Sequence, residues 1–196
     1  MCKTNHWLLS INNIKSTNLN TKSPYEIEFI HHNLNFNIVK SCYKIYQEYC
    51  QSNNFVYYDD LEFTEFMNKM IGIYSTILFY QINPITKNKT IIGFLLYHIE
   101  SYRNLSLSLS SNIHSSEILF IDNIFFKSTI SILNKNQIIN KIFYLLKQKN
   151  YKYVGYLEYQ NLHQYMNFLP FQKSNECYFY TYKIYISLKP NQILLM

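Results

Sequence analysis

The chain has 196 residues, of which 48% are hydrophobic and 15% charged, with a formal net charge of +6. That length sets one domain as the expectation, and that apolar content excludes a disordered chain. The basic residues are scattered singly, with Arg103 the one arginine among 18, so no nucleic-acid partner is expected from the charge.

Cys2, Cys42, Cys50 and Cys177 form no CxxC pair and have no metal spacing, so no metal site is expected and a reducing compartment is. His31 and His32 are adjacent, which on a strand sends them to opposite faces. No window approaches the apolar length of a membrane span. The start, MCKTNHWLLSINN, carries too short an apolar run for a signal peptide. A cytoplasmic location is the resulting expectation.

Residues 1–23 are polar and rich in Asn, Ser and Thr, and read as an irregular arm. Tyr25 to His31 alternates as a first strand. Ile38, Cys42, Ile45 and Tyr49 recur at helical spacing, which predicts an amphipathic helix from Phe36 to Cys50. Phe63, Phe66, Met67 and Met70 predict a second helix from Asp59 to Ile71, with the acids Asp59 and Asp60 at its positive end. Ile73 to Ile82 and Thr90 to Glu100 read as a long antiparallel hairpin, turned at Pro84 and Asn88. Gly93 in its second strand marks a bulge or a close backbone approach. The Ser-rich stretch 104–116 reads as an insertion.

Glu117 to Phe126 is the next strand, read with Phe120, Asp122, Ile124 and Phe126 on one face. A loop follows, ending at Asn134 and Asn136, then a helix from Gln137 to Lys149. Tyr151 to Glu158 is a strand, Asn161 to Phe168 a short helix stopped by Pro170, and Cys177 to Ile186 a last strand. Strands and helices interleave without a linker, so one α/β (α+β) domain over residues 24–196 is expected.

Several stretches carry a family resemblance. They are FIDNIFF (Phe120 to Phe126), IIGFLLYHIESY (Ile91 to Tyr102), YVGYLEYQN (Tyr153 to Asn161) and LPF (Leu169 to Phe171). In this order they resemble the GNAT superfamily of N-acetyltransferases across Tyr25 to Ile186. The Ile91 and Ile118 strands look most like its diamine acetyltransferase branch. YMNFLPF and YFYTYK are similar to the second lobe of N-myristoyltransferases, a domain of the same fold. The resemblance implies a single GNAT-like domain: a mixed, mostly antiparallel sheet with helices on both faces. Where the family has an Arg-Gly-x-Gly-x-Gly loop, this chain has Ser131-Ile132-Leu133-Asn134-Lys135-Asn136; the spacing survives and the glycines do not.

Acyl transfer from acetyl-CoA, or another acyl-CoA, to a primary amine is the activity implied, with a small-molecule or peptide acceptor and no metal. The segment Ser131 to Asn136 would offer backbone N–H groups and a helix N-terminus to the cofactor phosphates. Asn134 and Asn136 tolerate positive φ, and Lys135 supplies a charge. The same segment also fits an ordinary helix-capping loop.

Asp122 is the candidate base, and backbone N–H groups at Phe125 and Phe126 are the candidate oxyanion contacts. Where the family commonly has a Tyr as general acid this chain has Phe168, so Tyr165, one turn earlier, is the candidate acid. Asn161 contacts the pantetheine arm by resemblance and caps a helix equally well. Two other readings stand beside the enzyme. One is a catalytically inactive GNAT-fold interaction protein, with a homodimer as one form. The other is an N-myristoyltransferase-like lobe.

Overall fold

The computed structural model describes residues 6–11, 24–30, 34–52, 60–102, 116–157 and 172–174. Among them the strands are β1 (His6–Ser10), β2 (Tyr25–Ile30), β3 (Ser75–Ile82), β4 (Lys89–Tyr102), β5 (Ser116–Phe126), β6 (Tyr153–Leu157) and β7 (Gln172–Ser174). The α-helices are α1 (Phe36–Ser52), α2 (Asp60–Asn68) and α3 (Ile132–Gln148), and a single π turn, Lys69–Ile73, continues α2. All strands join one sheet in the order β2-β3-β4-β5-β6-β1-β7. Every neighbouring pair is antiparallel except β5 with β6, which is parallel.

Alternation along the strands sends apolar side chains to both faces, and each face has its own core. On one face Ile77, Phe79, Leu95, Tyr97, Leu119, Ile121, Ile124 and Phe126 pack under Ile138, Ile139, Ile142, Phe143 and Leu146 of α3. On the other, Leu78, Phe94, Leu96 and Phe125 pack under Val39, Cys42, Tyr43 and Ile45 of α1 and Phe66 and Met70 of the α2 segment. A sheet buried on both faces needs near-continuous apolar strands, which is why Ile92 to Tyr97 reads as an unbroken apolar run around Gly93. The domain is thus a GNAT-like α+β unit with a mixed, mostly antiparallel sheet and helices on both faces, as the sequence predicts.

The β3–β4 hairpin also stands as expected. Asn83 Oδ1 accepts from the N–H of Ile85 at 2.9 Å and of Thr86 at 3.1 Å, and Lys87 takes a positive φ of 60° to close the turn. Gly93 serves both suggested purposes. A register shift falls between Phe79 and Tyr80 opposite Ile92 and Gly93, and the glycine lies hard against β5.

Three expectations are corrected. His6–Ser10, placed in an irregular arm, is β1, which sits between β6 and β7; its five residues carry no alternation strong enough to announce a strand, and sheet pairing decides it. The third helix begins at Ile132, not Gln137, because Ser131 caps it. Ile124 and Phe126 do not share a face with Phe120, for a reason that belongs to the site. The insertion, the helix from Asn161 and the strand from Cys177 lie outside the described residues, apart from Ser116, which opens β5.

Candidate functional site

The site follows from a change of pairing along β5. On one side β5 pairs with β4 from Ser116 to Phe126. On the other, among the described residues, it pairs with β6 from Ile118 to Ile121, opposite Tyr153 to Tyr156. Beyond Ile121, β5 continues for five residues, Asp122 to Phe126, along β4.

A β-bulge follows Ile121. Tyr97 pairs with Ile121 and Leu96 with Asn123, so Asp122 is an extra residue on β5. A bulge bends its strand and turns the alternation by one. Leu119 and Ile121 before it face α3, and so do Ile124 and Phe126 after it, three and five residues beyond Ile121. Asp122 goes with Phe120 instead. Phe120 is opposite His98 on β4 and stacks on its ring at 5.7 Å. His98 alternates with Phe94 and Leu96 on the face of α1 and α2. Asp122 is thus on the expected face relative to Phe120, and on the opposite face from Ile124 and Phe126.

Asp122 Oδ2 lies 2.6 Å from His98 Nδ1, with the two side chains 12% and 24% exposed. The ring of Tyr74 is 6.2 Å from the His98 ring. Burial, and then the charge of Asp122, push the Tyr74 phenol well above its usual range, so it stays protonated at neutral pH. The π turn after α2 delivers Tyr74 there: its N–H donates to Lys69 C=O at 3.0 Å, closing the wider turn. Single π turns of this kind occur often at functional sites. His98 and Tyr74 escaped the sequence reading. The available signal was the pairing of β4 with β5, which sets His98 opposite Phe120.

The backbone of this segment has a definite phase. Lys127 N–H donates to Ile92 C=O, and antiparallel pairs two residues apart share the same hydrogen-bonding state. Phe125 opposite Phe94 therefore turns its N–H toward β4, while Ile124 and Phe126 turn theirs away from β4. The two candidate oxyanion donors, Phe125 and Phe126, thus point their N–H groups to opposite sides of β5. The Phe125 side chain instead packs on Phe94 at 4.8 Å and on Tyr49 and Tyr46 of α1 at 5.2 and 5.6 Å.

Beyond β5 the chain turns through Lys127–Ile130 into α3. Ser131 Oγ accepts from Asn134 N–H at 3.3 Å, and Lys135 N–H donates to Ser131 C=O. Ile132, Leu133, Asn134, Lys135 and Asn136 are consequently the first helical residues rather than a loop. Among the described non-glycine residues only Lys87 and Asn150 have positive φ, so Asn134 and Asn136 do not use that tolerance. Helix geometry leaves the N–H groups of Ile132 and Leu133 without intrahelical acceptors. Their side chains are 75% and 68% exposed and do not pack inward over that end. The Lys135 ammonium lies 5.7 Å from the Phe126 ring, and burial lowers its pKa. The capped end of α3 and the end of β5 are thereby tied together. Tyr165 and Asn161 lie outside the described residues, as does Phe168. No group of three His, Cys, Asp or Glu suited to a metal occurs among the described residues, and none of their helices is long and apolar enough to cross a membrane.

No family profile and no curated protein matches the sequence. Solved structures do share the fold. N-myristoyltransferase from Saccharomyces cerevisiae, solved with bound myristoyl-CoA, aligns at a TM-score of 0.53 with 10% identity, over 86% of this chain and 45% of that one. A functionally unknown conserved protein from Staphylococcus epidermidis aligns at 0.51 with 11% identity, over 87% and 57%. L-PGS from Bacillus licheniformis aligns at 0.50 with 6% identity, over 79% and 47%. The chain spans about half the length of these proteins.

Proposed function

We propose that this protein is an acyl-CoA-dependent N-acyltransferase that moves an acetyl group from acetyl-CoA to a primary amine. The observation that carries this reading is the Asp122 bulge in β5, after which Ile124 and Phe126 turn their N–H groups away from β4 and the chain runs into the capped N-terminus of α3. An extended pantetheine arm needs backbone donors of this kind, and its pyrophosphate needs a helix N-terminus. The residues present fit both needs. Ile124 and Phe126 turn backbone N–H groups toward the arm, and the first turn of α3 presents the N–H groups of Ile132 and Leu133 to phosphate.

That a protein of this fold has been solved with myristoyl-CoA supports a CoA thioester as donor. Holding donor and amine in line is the main catalytic gain, and the Phe126 N–H supplies the oxyanion contact. Asn161 and Tyr165 keep their proposed roles, on the pantetheine arm and as acid to the leaving thiolate.

Thermal unfolding with added ligand tests the reading. A ligand that binds only the folded chain raises stability by about 2.7 kcal/mol at a hundred times its Kd. A saturable rise in Tm with acetyl-CoA is the expected result. A rise with myristoyl-CoA alone favours the N-myristoyltransferase-like alternative. No rise with any CoA, in folded protein, leaves the inactive interaction module.

A further inference from the structure

We propose that one end of the sheet docks on an anionic lipid bilayer, with Ile85, Ile132 and Leu133 entering the interface and Lys87 and Lys127 meeting the headgroups. The inference goes beyond the acyltransferase reading and does not rest on it. Strand pairing brings two segments to that end. One is the turn of the β3–β4 hairpin, where Asn83 N–H donates to Asn88 C=O at 3.0 Å. The other follows β5. Gly93 near the start of β4 pairs with Phe126, the last residue of β5, and Lys127 N–H donates to Ile92 C=O at 2.9 Å. The chain after β5 therefore leaves the sheet at the base of the hairpin. The Lys135 ammonium, 5.7 Å from the Phe126 ring, keeps the first turn of α3 there.

A single exposed aliphatic side chain is ordinary, whereas a group of them in one place marks a contact surface. Among the described residues the three most exposed large hydrophobics are Ile85 at 88%, Ile132 at 75% and Leu133 at 68%. All three lie at this end, on the hairpin turn and on the first turn of α3. Charge indicates what covers them. The chain has no acidic residue from Asn83 to Ile99 or from Asn123 to Leu157. Glu26, on β2 beside the hairpin, is already paired with Lys89 Nζ at 2.5 Å. Lys87 and Lys127 have no ion-pair partner among the described residues. Aliphatic side chains among unpaired lysines match an anionic bilayer, where the apolar groups enter the acyl boundary and each lysine at the surface strengthens binding about fivefold. A nucleic acid would pair the lysines and leave the aliphatic side chains in water. The contact uses side chains, not the backbone N–H groups of the first turn of α3.

Vesicle flotation of the full-length protein tests this, with phosphatidylcholine vesicles beside vesicles of equal parts phosphatidylcholine and phosphatidylglycerol. Binding to the anionic vesicles, weakened by added salt, with little binding to the neutral ones, is the expected result. Ile132→Ser with Leu133→Ser is expected to lower the partition coefficient about tenfold or more, with Tm unchanged because both side chains are exposed. Ile85→Ser is expected to act in the same direction. Lys87→Glu with Lys127→Glu is expected to lower the coefficient about tenfold or more. Lys40→Glu with Lys44→Glu makes the same charge change on the exposed face of α1 and is expected to change it little.

Equal losses in the two charge variants overturn the inference, because binding then follows net charge alone. Anionic binding that the serine substitutions leave intact overturns it as well. So does wild-type protein that floats with neither vesicle. Self-association that the serine substitutions abolish, in protein that floats with neither vesicle, makes this end an interface between copies of the chain instead.

Discussion

A methyl group on Gly93 would stand 2.5 Å from the Phe125 carbonyl oxygen and 2.8 Å from Phe79 Cδ2. The first neighbour is backbone and cannot turn aside, so Gly93→Ala must push β4 from β5 beside the candidate site. A loss on the order of 1–3 kcal/mol is expected from such overpacking, read as a lower urea midpoint; an unchanged midpoint contradicts the close approach. Thr76 gives the opposite case. It is buried and its Oγ1 has no hydrogen-bond partner among the described residues. Thr76→Val is expected to be neutral or to stabilise by about 1 kcal/mol, and a clear loss would point to a partner for that hydroxyl. At this scale sequence legibility was uneven. Gly93 in an apolar run is visible because a glycine there needs a reason. The His98–Asp122 pair was not, since the two residues are 24 apart in sequence and meet only through strand register and a bulge.

Elements were easier to find than their ends. The stripes of α1 and α2 announced them because both helices bury one face, and Pro84 with Asn88 announced the hairpin turn. The start of α3 was misread by five residues, since Ile132 and Leu133 face solvent and two asparagines follow. A serine cap outweighs those weak propensities. Ser131→Ala is accordingly expected to cost about 0.5–2 kcal/mol and to fray the first turn, weakening CoA binding with it. Leu133→Ala is expected to change stability by no more than about 0.5 kcal/mol, given its exposure. Equal effects of the two in chemical denaturation would contradict the cap. The glycine-less segment is, when folded, a capped helix end that presents backbone donors.

The whole molecule carries a pH signature set by its double-sided core. Burial pushes the Cys42 thiol from 9.0 to about 12, and raises the phenols of Tyr74, Tyr80 and Tyr97 from 10.0. These groups are neutral when protonated, and the unfolded chain ionises them first. Their contribution is complete below about pH 9 and is lost as pH rises toward 12, by at most about 1.4 kcal/mol per pH unit for each group. Urea midpoints are expected to fall between pH 8 and pH 10.5, and Cys42→Ala to reduce that fall. A midpoint constant over the interval would mean the thiol and phenols are not shielded.

The measurement closest to the central claim is amide hydrogen exchange of the full chain with and without acetyl-CoA. Donor binding along the end of β5 is expected to slow exchange at Ile124, Phe126 and the first turn of α3, with little change at Phe125, whose N–H is turned toward β4. Bound acetyl-CoA that leaves those amides unprotected, or protects a different surface, would contradict the site.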